Sequence, residues 1–299
     1  MREFTVAEND GGQRLDRFIT KLMPKLPKSM LYKGLRKKCV RLNGSHEKDG
    51  AVFVSAGDVV TLYFADEFFE ADKSFGYVKP VFKVAYEDEN ILVVDKPVGV
   101  LCHSDENGKG KTLIDMVKSY LWDKGEYNPE NEQTFSPALC NRLDRNTGGL
   151  VIAAKNAKAL RDVNDSIKNR NIRKFYMAMV EGDLPHNGHL EDKLERSEKV
   201  TKVSDTGKSA SLDYEVLSRK NGQALVSIEL HTGRTHQIRT QFANIGCPLV
   251  GDTKYGGKGK SFRQALYATK LILNFDDNSS LSYLNGKEIE ITAPFEGEF

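Results

Sequence analysis

The chain has 299 residues, 39% of them apolar and 29% charged, with a formal net charge of +2. That composition excludes a disordered chain, and no apolar run approaches the roughly 20 residues that a membrane helix requires. Four scattered cysteines (Cys39, Cys102, Cys140, Cys247) and a first segment without a signal-peptide layout lead to the expectation of a reduced, cytoplasmic protein.

The near-neutral total conceals an asymmetry. Between Arg14 and Arg41 ten basic residues stand against Asp16 alone, a local charge of +9, so the remainder sums to −7. A charge run by itself reads as a solvated face. Here it coincides with a foldable unit, which favours an anionic partner such as nucleic acid. Leu15, Phe18, Ile19 and Leu22 recur at helical spacing, and Pro24 ends that helix. Ser29 is the expected cap of a second helix, with Met30, Leu31, Gly34 and Leu35 turned inward. Lys33, Arg36 and Lys37 share its other face, an inexpensive way to dock RNA phosphates. A strand from Val40 runs into an Asn43-Gly44 turn, and Val59 to Phe64 closes the ribbon after Gly57-Asp58.

Residues 66–79 read as a linker between a first domain over 1–65 and a second over 80–299. In the second, strands are expected at 81–86, 91–95, 175–180, 211–217 and 224–230. Helices are expected at 112–121 and after Asn156, where Ala157, Leu160, Val163 and Ile167 keep helical spacing. No regular βαβα alternation is present, so the expected class is α+β with a mixed, largely antiparallel sheet. Two glycine-lysine tracts, Gly110-Lys111-Thr112 and Gly259-Lys260-Ser261, lack the leading glycine of a phosphate loop, since Asp105 and Lys254 occupy its place. His186-x-x-His189, beside Pro185 and Gly188, reads as a surface pair rather than a metal site.

Three segments combine tight turns with reactive side chains. In Arg142-Leu143-Asp144-Arg145-Asn146-Thr147-Gly148-Gly149 a carboxylate stands between two arginines ahead of a glycine turn. Arginines favour the ionised form, so Asp144 is read as a base or nucleophile; a structural Arg–Asp brace is the alternative. In His231-Thr232-Gly233-Arg234-Thr235-His236-Gln237-Ile238-Arg239 a strand meets a glycine and then a helix whose first turn is expected to carry Arg234, His236 and Gln237. Arg234 is positioned to pair with a carboxylate such as Asp144. In Arg173-Lys174-Phe175-Tyr176 alternation sends the two aromatics to opposite faces, one for the core and one free to stack on a planar ligand.

Together these segments resemble the RluA-type pseudouridine synthases, and the resemblance covers nearly the whole chain. It rests on Arg142-Leu143-Asp144 with Thr147-x-Gly149-Leu150, on Lys174-x-Tyr176-x-Ala178-x-Val180-x-Gly182, and on Thr232 to Arg239. Val94-Asp95-Lys96-Pro97, Gly246-Cys247-Pro248-Leu249 and Gly251-Asp252-x-x-Tyr255-Gly256 support it. Gly12 to Phe18, Leu42-Asn43-Gly44 and Gly57-Asp58 resemble the small α-L RNA-binding domain. The resemblance implies a pseudouridine synthase fold and isomerisation of uridine in structured RNA, large-subunit ribosomal RNA first and transfer RNA second. It implies a monomer that needs neither cofactor nor metal. Asp144 is implied as the catalytic aspartate. Tyr176 is implied to stack on the base and assist proton removal, and Arg234 to pair with the aspartate. Arg142 is implied to enter the RNA where the uridine has left, and Ile238 to wall the base pocket. The alternatives are a noncatalytic RNA-binding or ribosome-assembly protein on the same scaffold, and a hydrolase using Asp144 with Asp252. The chain departs from the family pattern at Asn141, Gly148 and Gln241, usually histidine, serine and histidine, departures expected to bear on RNA contacts.

Overall fold

The computed structural model describes residues 1–69, 75–104, 111–197, 200–259 and 264–298. The middle of the expected linker and parts of both glycine-lysine tracts lie outside the described residues. The chain forms two compact units. The first comprises Met1–Val78, Lys118–Pro137 and Asn156–Lys158; the second comprises Lys79–Val117, Ala138–Lys155 and Ala159–Phe299.

The first unit contains β1 (Arg2–Thr5), β2 (Gln13–Arg14), α1 (Leu15–Leu22), α2 (Lys28–Arg36), β3 (Val40–Leu42), β4 (Ser45–His46), β5 (Phe53–Val54) and β6 (Val59–Leu62). Strand order is β1-β6-β3-β4, with β2 and β5 as a separate ribbon. The apolar stripe of α1 packs Phe18 and Ile19 with Leu31 and Leu35 of α2 and with Val60 and Leu62 of β6. Ser29 does not cap α2: Pro27 holds the cap position in extended conformation, and no side chain bonds the helix start. The Asn43-Gly44 turn has positive φ at both residues, 50° and 77°, as a tight hairpin demands. Asn43 also bonds Asp58 and the Val59 amide, tying this turn to the next one. A distant segment completes the unit. Gln133 donates to the Thr5 carbonyl (2.8 Å), Gln13 donates to Thr134 (3.0 Å), and Asp10 accepts from Thr134. The boundaries expected from sequence omit this segment because more than 100 residues separate it from its partners.

The second unit is built on one large sheet. Its strands are β7 (Lys83–Glu87), β8 (Ile91–Lys96), β9 (Ala138–Leu139), β10 (Gly148–Ala154), β11 (Arg173–Glu181), β12 (Asn187–Arg196), β13 (Thr201–Val203), β14 (Lys208–Lys220), β15 (Gln223–Leu230), β16 (Leu266–Leu273) and β17 (Lys287–Glu290). The chain's other α-helices are α3 (Leu113–Asp123), α4 (Ala157–Lys168) and α5 (Gln237–Asn244). Strand order is β13-β12-β14-β15-β11-β16-β10-β8-β7, with β17 added to β16 and β9 to β10. The β10–β16 pair is parallel and the other named pairs are antiparallel, in agreement with the expected α+β class. β8 and β10 are apolar along most of their length and bury Ile91, Val93, Leu150 and Ile152 against Val163 of α4 and Leu271 of β16. The charged β12 gave no apolar signal, and its exposure alternates as one sheet face meets solvent.

The parallel pair depends on two glycines. A Cβ at Gly149 (φ +110°) would lie 2.2 Å from the Ala268 carbonyl oxygen, and one at Gly148 would lie 2.2 Å from the Tyr267 ring. That ring has little room to give, because its hydroxyl donates to Asp95 at 2.7 Å. Gly148→Ala is therefore expected to destabilise the chain by about 1–3 kcal/mol through overpacking. Gly233→Ala, with nothing within 4 Å of the added carbon, is expected to stay within about 0.5 kcal/mol. Urea unfolding of the two variants checks this; equal midpoints would show that the ring yields.

Candidate active site

A cleft of about 310 Å³ lies in the second unit. Its walls are the segment 140–147 before β10, the start of β11, Leu266 of β16, and the segment from Gly233 into α5.

The cleft's carboxylate is Asp144, whose side chain is 28% exposed. Nη1 of Arg239 donates to its Oδ2 at 3.1 Å. The rest of that guanidinium is bound on the inner side, Nε and Nη2 donating to the two oxygens of Asp252 at 2.6 and 2.8 Å. The Tyr255 ring lies 4.8 Å from the guanidinium carbon. Nε2 of His236 stands 3.7 Å from the same oxygen of Asp144. Its Nδ1 is 2.8 Å from the Tyr255 hydroxyl, which also accepts from the Thr201 amide at 2.9 Å. Burial holds the His236 imidazole below its ordinary value despite the nearby Asp144 charge. His236 has φ +53°, an unusual backbone state for a non-glycine residue.

The Asp144 turn is braced from behind. Its carbonyl accepts from the Thr147 amide (3.1 Å), and Gln264 donates to the Thr147 hydroxyl (2.6 Å). Cys102 sulfur lies 3.4 Å from both the amide nitrogen and the carbonyl oxygen of Leu143. Lys96, fully buried, donates to the carbonyls of Pro97 (3.0 Å), Val100 (2.9 Å) and Arg145 (3.3 Å). It thereby clamps the chain that leaves β8 onto the chain that follows Asp144.

Asp144, Tyr176, Arg142, Arg234 and Ile238 all line the cleft. Tyr176 and Ile238 are buried, while Arg142 and Arg234 are exposed. A register shift between Phe175 and Tyr176, which pair with Lys270 and Ala268, alters the local aim of β11. Lys33 and Arg36 are exposed on α2 of the first unit, and Lys37 is exposed at its C-cap.

The arginine that pairs with Asp144 is Arg239, not Arg234 as expected. The expected helix starts too early: α5 begins at Gln237, and Arg234 lies in the preceding segment with Nε donating to the Ser209 carbonyl at 2.9 Å. Gln237 fixes that segment by accepting from the Arg234 amide and the Thr232 hydroxyl. Arg239, in the first turn of α5, has the length and direction to reach both carboxylates. Arg239, Tyr255 and Lys96 received no role from the sequence, His236 only a place in the expected first turn and Asp252 only a part in the hydrolase alternative, although each stands inside a motif that carried the resemblance.

Each of the three departures from the family pattern has a local partner or neighbour, and Asn141 also lines the cleft. Asn141 accepts from the Ile152 amide (2.8 Å), Gly148 makes room for Tyr267, and Gln241 is fully buried and donates to Asp192 (2.9 Å). A buried Gln241 cannot supply the RNA contact anticipated there. The histidine pair also resolves differently: His189 meets Asp213 and His231 rather than His186.

Residues 90–244 match the family model described as RNA pseudouridylate synthase. The chain is 32% identical to an uncharacterized RNA pseudouridine synthase of Mycoplasma capricolum, over 97% of each protein. It is 30% identical to the ribosomal large subunit pseudouridine synthase D of Yersinia pestis, over 90% of this chain and 85% of that one. In fold it is similar to human RNA pseudouridylate synthase domain containing 1, with a TM-score of 0.56 at 21% identity, over 73% of this chain and 86% of that one.

Burial pulls the Lys96 ammonium from 10.5 down to about 8. Between those values the unfolded chain holds the proton that the folded chain has released, so this group makes stability rise with pH across that window. Lys96→Met removes the titration. The unfolding free energy of wild type, followed by urea at several pH values from about 8 to about 10, is expected to rise more steeply than that of the variant. Parallel slopes would mean that the ammonium is not desolvated.

Proposed function

This chain belongs to the RNA pseudouridylate synthase family, whose members isomerise uridine to pseudouridine in RNA, and from that premise we propose how its cleft performs the reaction. The observation that carries the proposal is Asp144, aimed into the cleft and paired with a buried arginine that Asp252 immobilises. Uridine and pseudouridine are isomers. The N1–C1′ bond breaks, a C5–C1′ bond forms, a proton leaves C5 and one joins N1. Asp144 is the one carboxylate among the described residues lining the cleft. It acts at the reacting nucleoside and receives the proton that C5 gives up.

Tyr176 has a narrower role than the resemblance implied. Burial, and then the charge of Asp144, push its phenol well above the ordinary value of 10. It stays protonated at neutral pH, which suits stacking on the detached uracil rather than proton removal. Ile238, Leu230 and Leu266 supply the apolar walls against which a pyrimidine packs. A uridine within a helix must be flipped out to reach this depth, and the exposed Arg142 enters the place it leaves. The cationic face of α2, with Lys33, Arg36 and Lys37, adds affinity for RNA phosphates. The ribosomal large-subunit name of the Yersinia relative supports ribosomal RNA of that subunit as the target class.

Tritium release from RNA labelled at uridine C5 tests the chemistry. Wild type is expected to release it, while Asp144→Asn lowers the rate by at least about 10³-fold and leaves RNA affinity within a few-fold. Equal loss of rate and affinity would assign Asp144 a structural role. Transfer RNA, assayed beside ribosomal RNA, decides the target class. Separately, Lys33→Glu combined with Lys37→Glu is expected to weaken RNA binding about ten-fold or more at low salt, with a shallower salt dependence. Unchanged affinity with an intact circular dichroism spectrum would remove α2 from the interface.

A further inference from the structure

Three residues remote in sequence and outside the cleft chemistry meet on one face of the large sheet. His189 lies on β12, Asp213 on β14, and His231 directly follows β15; these strands are consecutive in the sheet. Register sets His189 opposite Asp213, and the His231 amide donates to the Ser211 carbonyl at 3.2 Å. Asp213 therefore stands between two imidazoles. Nδ1 of His189 is 2.6 Å from one of its oxygens, and Nε2 of His231 is 2.7 Å from the other. The ring centroids lie 6.3 Å apart, with the planes inclined by 28°.

We propose that His189, Asp213 and His231 bind a divalent transition-metal ion of the zinc class, with water completing the coordination. Two imidazole nitrogens and one carboxylate oxygen form a ligand set typical of zinc; magnesium and calcium, which require oxygen donors, are poorly served. The three ligand atoms lie within 4.8 Å of one another. A tetrahedral ion with bonds of about 2.0–2.1 Å sets its ligands roughly 3.4 Å apart, so the widest separation needs to close by at most about 1.4 Å. Both rings already point at one carboxylate, and three paired strands fix their backbones, so the ion takes the place of two hydrogen bonds without reorganising the sheet. The side chains are 52%, 53% and 31% exposed, which admits the ion from solvent and leaves room for water. Glu191, 4.0 Å from the other nitrogen of His189, adds negative charge.

The site has a route to the cleft. His231 opens the segment that carries Arg234, His236 and Arg239. An ion bound to His231 anchors the start of that segment to β12, and thereby stiffens one wall of the cleft.

The test uses the full chain stripped of metal by a chelator and titrated with zinc chloride in competition with a chromophoric chelator. One equivalent is expected to bind with a dissociation constant below about 10 µM. Affinity is expected to fall at least ten-fold in His189→Gln and in His231→Gln, and to be unchanged in His186→Ala, which keeps the neighbouring histidine chemistry as a control. Zinc is also expected to slow amide hydrogen exchange in residues 231–236 of wild type but not of His189→Gln. Absence of a bound equivalent, or equal affinity in wild type and both histidine variants, would overturn the site. Circular dichroism of each variant separates loss of ligand from loss of fold, and a misfolded His231→Gln leaves His189→Gln, at a half-exposed position, to decide. No RNA enters the measurement, so its outcome is independent of the isomerase assay.

Discussion

The guanidinium of Arg239, its side chain only 8% exposed, donates through Nε and Nη2 to Asp252 and through Nη1 to Asp144. Removing a cation from water is costly, and a buried ion pair that loses one partner typically loses about 3–5 kcal/mol. Asp252, at 2% side-chain exposure, neutralises the inner side of the fork. The outer nitrogen then has one direction available, and it faces Asp144. A lysine could not replace this planar fork, since it has no second pair of donors in fixed geometry. The position of the Asp144 carboxylate is thus inherited from the buried Arg239–Asp252 pair.

The rest of the second unit serves to hold that geometry. Arg239 is located by α5, and the start of α5 is fixed by Gln237 and Gln241, whose amides bond each other and the Ser211 and Ala210 carbonyls. From the opposite side, Lys96 draws three carbonyls together beneath the Asp144 turn, and Cys102 contacts Leu143. Lys96 illustrates the tension in such a device. Burial disfavours its charge, yet its three donors satisfy the Pro97 and Val100 carbonyls and join the Gly99 amide on the carbonyl of Arg145. The two glycines that open β10 let that strand approach β16 closely enough to pair in parallel, which places Tyr176 and Leu266 on the cleft wall.

The departures at Asn141, Gly148 and Gln241 show how a family pattern is altered without moving the site. Each has a local partner: Asn141, on the cleft wall, bridges to Ile152, Gly148 yields its volume to Tyr267, and Gln241 joins a buried amide network.

Local sequence was enough for those features whose cause is local. Helical spacing located α1 and α4, Asn43-Gly44 marked its hairpin, the apolar run of β8 marked a buried strand, and the motifs around Asp144 and Tyr176 named the cleft residues. Features that depend on distant partners were not legible. The membership of 118–137 in the first unit, the strands β12, β16 and β17, the choice of Arg239 over Arg234, and the meeting of His189 with His231 each need a register or a helix start that no short window contains. A side chain's chemistry is written in its own residue. Its partner is decided only when the sheet order and the first residue of α5 are set, because an error of five positions along that segment exchanges one arginine for the other.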